Sequence, residues 1–259
     1  MRFHVENRAM STLPQALSAI SHYHSKAHYV SPTTSKSISR ALEGAKRSFG
    51  KPSASVNVIT IDHLHALSAL AYKPSCSLVV LRTIWRIFIE FYGLLRFNEV
   101  AQLTFSDLIW THVGFDLFIK KSKTDQHKKG DFVSFAKHKN SVLCPVLLTQ
   151  FYLQRFNLSK GLLLPCIRGK TIVLDSPLSY NTALRDLRKC LSKIGIDPSG
   201  FGEHSGRRGG TTAAAAAGAS IDELMLQGRW STQEMPRLYT DNAVKARREF
   251  ALRLAEIEA

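Results

Sequence analysis

Apolar positions recur every three or four residues in some stretches of the chain and alternate with polar ones in others. Leu17 to Tyr23 and Ser35 to Arg47 carry helix-forming patterns, and the run Phe49-Gly50-Lys51-Pro52-Ser53-Ala54-Ser55 after them is rich in breakers and small polar residues. A domain boundary is placed there, between a short helical part, 1–52, and a larger unit, 53–259. Val80 to Leu95 reads as a buried helix: Leu81, Trp85, Phe88 and Ile89 recur at helical spacing, while Arg82, Arg86 and Glu90 form a polar stripe on another face. Asp107 to Val113, Leu117 to Lys121 and Phe132 to Phe135 are short β-prone runs. They predict a small antiparallel sheet whose hairpin tip is the charged segment Ser122 to Gly130.

Helical spacing resumes at Pro145 to Phe156 and at Tyr180 to Ile194, the latter closed by Gly195. The alanine run Ala213 to Ala217 suits a closely packed helix, and Ser220 with Glu223 and Ser231 with Glu234 read as capping boxes. Pro236 predicts that the chain just before Tyr239 departs from a regular helix. A last amphipathic helix is expected over Ala243 to Ile257, with Ala243, Ala246, Phe250, Leu254 and Ile257 on its apolar face. The fold class that results is mainly α with a small antiparallel β-sheet, α+β.

Composition sharpens this picture at one point. With 259 residues, 44% hydrophobic and 21% charged, the chain is an ordinary globular protein, but 35 Lys and Arg against 20 Asp and Glu leave a net charge of +15. Such a surface suits a polyanion, with nucleic acid the first candidate. Arg185, Arg188, Lys189 and Lys193 share one face of the Tyr180 helix, which reads either as a phosphate-contacting surface or as a solvated one. The four cysteines form no C-x-x-C pair, so neither a zinc site nor a disulfide framework is indicated. The first twenty residues hold no uninterrupted apolar run, and Arg82, Arg86 and Glu90 break the most apolar stretch; an intracellular protein with no membrane span is expected. Glu99, Asp107, Asp125 and Asp131 show no metal-ligand arrangement, so no metal or other cofactor is expected.

Three local patterns carry candidate chemistry: Arg96-Phe97-Asn98-Glu99 with Leu103; His204-Ser205-Gly206-Arg207; and Gly228-Arg229-Trp230 with Tyr239 nine residues beyond the tryptophan. Taken singly, Arg96 reads as the partner of Glu99 at i+3, and Tyr239 as a core or rim tyrosine. His204 and Arg207, one helical turn apart, can face one anion near a helix N-terminus. Arg229 suits either a DNA contact or an exposed surface position.

In this order and spacing the patterns resemble the tyrosine recombinase (phage integrase) family, with a Cre-like catalytic domain, from about Ser53 to the C-terminus. Arg96, Glu99 and Leu103 match the first motif, His204 and Arg207 the H-x-x-R motif, Trp230 the His/Trp position and Tyr239 the nucleophile. The family also places a lysine on a β-hairpin, for which Lys123 is the choice and Lys121 the runner-up.

The chemistry fits these residue types. Metal-free cleavage of a phosphodiester needs fixed cations against the nonbridging oxygens, and guanidinium groups meet them with paired hydrogen bonds. His204 adds a donor or accepts the phenol proton, Trp230 offers its indole N–H, and a phenol of ordinary pKa near 10 needs a cationic surrounding to attack.

The resemblance implies double-stranded DNA as partner and a 3′-phosphotyrosyl intermediate with a free 5′-hydroxyl. It also implies a homotetramer on DNA linked through the C-terminal helix, in the nucleus or the nucleoid according to host. The short part before residue 53 resembles the second half of a helical core-binding (DNA-clamp) domain, which predicts reduced DNA affinity. A catalytically decayed or domesticated DNA-binding remnant is the alternative, and a type IB topoisomerase a further one.

Overall fold

A computed structural model describes residues 12–49, 57–120, 130–169 and 171–240. The chain divides into two compact units, Met1–Ser55 and Val56–Ala259. The first holds helices α1 (Leu13–Lys26) and α2 (Lys36–Phe49), joined through a 3-10 turn at Pro32–Thr34. Among its described residues, Leu13 and Ala45 alone are buried.

In the second unit, α3 (Ile61–Ala71) precedes α4 (Leu78–Tyr92), which runs through the centre with α3, α6 (Pro145–Phe156), α7 (Tyr180–Lys193) and α8 (Ser205–Ala216) packed around it. Leu81, Ile84, Trp85, Phe88 and Ile89 are fully buried in α4, as a helix covered on several sides requires. Its polar stripe is buried as well. Arg82 donates to Asp186 of α7 and to the Pro165 carbonyl, both at 2.8 Å, and Arg86 bridges Glu90 at 2.9 Å and Glu203. The stripe therefore binds the neighbouring elements through ion pairs, and these satisfy charges that would otherwise be costly to bury.

Three strands, β1 (Leu108–Trp110), β2 (Gly114–Ile119) and β3 (Asp131–Ala136), form the expected antiparallel sheet, with Leu108 opposite Leu117 and Phe115 opposite Phe135. Alternation puts Phe115, Leu117, Ile119, Val133 and Phe135 in the core, where the Phe115 and Phe135 rings stack at 4.6 Å. A second hairpin, β4 (Pro165–Arg168) with β5 (Thr171–Pro177), was not foreseen.

The expected Gly195 terminus of α7 is present, and an N-cap that the sequence reading did not name joins it. The Ser179 hydroxyl accepts from Thr182 N–H at 3.3 Å, and Gly195 follows the helix at φ +79°. Gly209 and Gly210 let α8 pack backbone to backbone, because a Cβ on the first would strike the Ile59 carbonyl oxygen and on the second that of Phe91.

Two further helices close the described chain, α9 (Ile221–Gly228) and α10 (Glu234–Thr240). The Ser220–Glu223 capping box is present. The expected irregularity before Tyr239 is not: Pro236 is the third residue of α10, within the first turn, where no backbone N–H is required, so the helix runs through Tyr239. This helix begins at Glu234 itself, which leaves Ser231 ahead of it, outside a capping-box position. The hairpin tip with Lys121 and Lys123, and the Ala243 to Ile257 helix, lie outside the described residues.

Candidate active site

The long helix ends at Tyr92, short of the expected Leu95. Gly93 closes α4, Leu94 turns left-handed at φ +46°, and Arg96 is the N-cap of a new short helix, α5 (Phe97–Val100). Glu99, at the third position of α5, reaches back to the Arg96 backbone N–H at 2.8 Å and accepts from its Nη1 at 2.9 Å. The i+3 pairing anticipated from sequence is therefore real, and it also aims the arginine. The Arg96 side chain stays 21% exposed, while Glu99 is buried at 3%.

Arg207 arrives from the first turn of α8 and is buried. Its Nη2 donates to the Gly228 carbonyl at 2.7 Å, its Nη1 donates to the Leu94 carbonyl, and its guanidinium lies 4.3 Å from the Trp230 ring centroid. Nη1 is also 4.0 Å from Glu99 Oε2. Arg96 and Arg207, 111 positions apart by subtraction of their numbers, are thus gathered on one carboxylate. His204 occupies the N-cap position of α8, exposed and one turn ahead of Arg207.

Arg229 is buried, which removes the exposed-surface reading. It adopts φ +53° and ψ +47° at the end of α9, donates from Nη2 to Glu99 Oε2 at 2.7 Å and from Nη1 to the Gln227 carbonyl at 2.9 Å. Burial pulls its pKa down, and Glu99 opposes that shift. Sequence spacing could not disclose this link, since Glu99 and Arg229 are 130 residues apart. Tyr239 stands on α10, which packs against α8, the helix of His204 and Arg207.

Glu203, the residue before His204, belongs to a second buried cluster. Glu203 and Glu90 both accept from Arg86 Nη1, and burial pushes both carboxyls up, Glu90 to about 8. The signal available in the sequence was the placement of Arg86 and Glu90 in an otherwise apolar helix.

Arg185, Arg188, Lys189 and Lys193 line a shallow cleft on α7 together with Asn181 and Pro198, which leaves this basic face open. Among the described residues no group of three or more His, Cys, Asp or Glu is placed to hold a metal ion, and no helix is long and apolar enough to cross a membrane.

No protein-family model matches the chain. It is 24% identical over 234 residues, 89% of this chain and 68% of the other, to an integrase/recombinase XerD homolog of Selenomonas ruminantium. Among solved structures it resembles the XerH site-specific recombinase bound to palindromic difH substrate, with TM-score 0.61 and 16% identity over 97% of this chain and 74% of that one. The Tn1549 transposon integrase in complex with transposon right end DNA gives TM-score 0.63 and 15% identity over 98% and 82% of the two chains. The XerA recombinase gives TM-score 0.57 and 16% identity over 98% and 87%. The chain has the fold of the tyrosine recombinases and resembles them in sequence.

Proposed function

We propose that the chain is a DNA-binding tyrosine recombinase, acting inside the cell, that cuts and rejoins double-stranded DNA. The observation that carries this reading is the convergence of Arg96 and Arg207 on Glu99, with Trp230 stacked on Arg207, at the junction of α5, α8 and the α9–α10 corner. Two guanidiniums held at a site where one remains partly open suit the nonbridging oxygens of a phosphodiester.

In the proposed reaction the Tyr239 phenol oxygen bonds to phosphorus as the bond from phosphorus to the 5′-oxygen breaks. His204 takes the phenol proton and Lys123, or Lys121 in its place, protonates the departing 5′-oxygen. Arg96 and Arg207 hold the phosphorane charge, Trp230 walls the pocket, and the 3′-phosphotyrosyl ester conserves the energy for attack by another 5′-hydroxyl. No metal or other cofactor is assigned a step. Arg185, Arg188, Lys189 and Lys193 supply phosphate contacts from the open face of α7. The segment Ala243 to Ile257 is assigned to docking between copies of the protein in a tetramer on DNA.

The test is covalent trapping. Wild type and Tyr239→Phe are incubated with a pooled library of nicked duplexes, denatured and separated on a gel. Adducts with wild type alone are expected. Adducts that persist in Tyr239→Phe would remove Tyr239 as nucleophile, and salt-sensitive binding with no adduct from wild type would favour the DNA-binding remnant.

A further inference from the structure

Arg229 belongs to the central cluster but has no part in the reaction just described, and its conformation is unusual for what it is. At φ +53° it occupies the left-handed region at the end of α9, where a glycine would be relaxed and an arginine is strained. The strain is compensated through the side chain: Arg229 Nη2 meets Glu99 Oε2 at 2.7 Å, on the same carboxylate whose Oε1 meets Arg96 Nη1 at 2.9 Å. Both side chains of this pair are nearly sealed from solvent, Arg229 at 5% and Glu99 at 3%.

We infer that Arg229 is a positioning residue, which through Glu99 fixes Arg96 toward the scissile phosphate and locks the Gly228–Trp230 corner to the segment that carries Arg96. Three consequences follow from the geometry. First, Arg229 occupies Glu99 Oε2, so the carboxylate cannot rotate away from Arg96 without breaking a buried charged hydrogen bond. Second, it shares the charge of Glu99: Arg96, Arg207 and Arg229 against one carboxylate leave a formal +2, which equals the double negative charge of a phosphorane. Without Arg229 the same site would carry +1. Third, the corner that supplies the Gly228 carbonyl to Arg207 and the Trp230 ring to its guanidinium is tied to α5 by a bond that skips across the fold. This assignment rests on the recombinase reading, and it gives Arg229 a place behind the phosphate rather than a direct contact with DNA.

The experiment uses the full chain as wild type, Arg229→Gly, Arg229→Lys, Glu99→Gln and the Arg229→Gly/Glu99→Gln double variant. Glycine relieves the left-handed backbone and so keeps the corner folded, which circular dichroism verifies. Two readouts are taken: the single-turnover rate of adduct formation on the nicked duplexes at saturating DNA, and the affinity for orthovanadate, which adopts the geometry of the phosphorane. Arg229→Gly is expected to slow adduct formation and to weaken vanadate binding by roughly 10- to 100-fold, with DNA affinity kept within about twofold. Arg229→Lys, which keeps the charge but not the planar fork, recovers part of the loss. Because Arg229 acts through Glu99, Arg229→Gly adds little in the Glu99→Gln background.

Wild-type vanadate affinity in Arg229→Gly, a loss fully additive with Glu99→Gln, or failure of wild type to bind vanadate overturns the inference. If vanadate behaves as expected while no DNA yields an adduct, the recombinase reading fails, and what survives of the inference is that Arg229 orders an oxyanion site through Glu99.

Discussion

Glu90→Gln tests the buried carboxylate pair of Glu90 and Glu203. Arg86 Nη1 serves both Glu90, at 2.9 Å, and Glu203, and one guanidinium cannot neutralise two carboxylates in a site from which water is excluded. Burial accordingly raises the Glu90 carboxyl to about 8, so it carries its proton in the folded protein at pH 7, where the unfolded chain has lost it. A raised carboxyl pKa contributes stability that is complete below its unfolded value near 4.5 and is lost as pH rises through about 8. With a limiting slope of about 1.4 kcal/mol per pH unit, wild type loses on the order of 2 kcal/mol from this group between pH 6 and pH 8. Glutamine is nearly isosteric with the protonated acid and cannot titrate. Glu90→Gln is therefore expected to cost no more than about 1 kcal/mol at pH 6 and to flatten the profile by the amount above. The assay is urea unfolding of both proteins at pH 6, 7 and 8, read as the difference in stability, which cancels the shared histidine titrations. Equal losses in the two proteins between pH 6 and pH 8, or a wild type that gains on the variant, would refute the reasoning.

Two other outcomes are open to direct measurement. Gly209→Ala places a methyl against the Ile59 carbonyl oxygen, so α8 must move away from the segment before α3; a loss of about 1–3 kcal/mol and a lower Tm are expected, and an unchanged Tm would show that the helix gives way freely. Replacing Arg185, Arg188, Lys189 and Lys193 together by Gln should reduce the slope of log binding constant against log salt by about 3–4 if each meets a phosphate, and an unchanged slope would take this face off the DNA.

What the sequence made visible and what it hid follow a physical division. Local signals were legible: the Ser220 cap, the Gly195 terminus, and the β-prone runs that bury Leu117, Val133 and Phe135, although the middle strand begins at Gly114, ahead of the expected Leu117. The β4–β5 hairpin escaped because Ile172, Val173 and Leu174 of β5 are each only partly buried, so the strand lacks a clean alternation. Helix α3 was not anticipated, although Leu64, Leu67, Ser68 and Ala71 recur at helical spacing along its buried face. At the candidate site, motif and spacing singled out Arg96, Glu99, His204, Arg207 and Trp230, of which the structure brings Arg96, Glu99, Arg207 and Trp230 into contact. The true partners of the α4 stripe were not found, since Asp186 and Glu203 lie 104 and 117 residues from Arg82 and Arg86. Pairings of that range are created by packing, and no periodicity records them.

The seat of Arg207 has one more consequence, for mutational tolerance. Its two guanidinium nitrogens are held by the main-chain carbonyls of Leu94 and Gly228, groups that every amino acid supplies. The acceptors themselves therefore do not depend on side-chain identity, although a Cβ on Gly228 would lie 2.1 Å from the Trp230 ring. The constraint falls also on the left-handed turn at Leu94 and on its counterpart at Arg229, immediately after Gly228. Around this arginine backbone shape and packing both bind the chain, so a library randomised at Leu94, which is buried with Leu224 and Trp230, should lose β-branched residues to the left-handed turn and polar ones to burial.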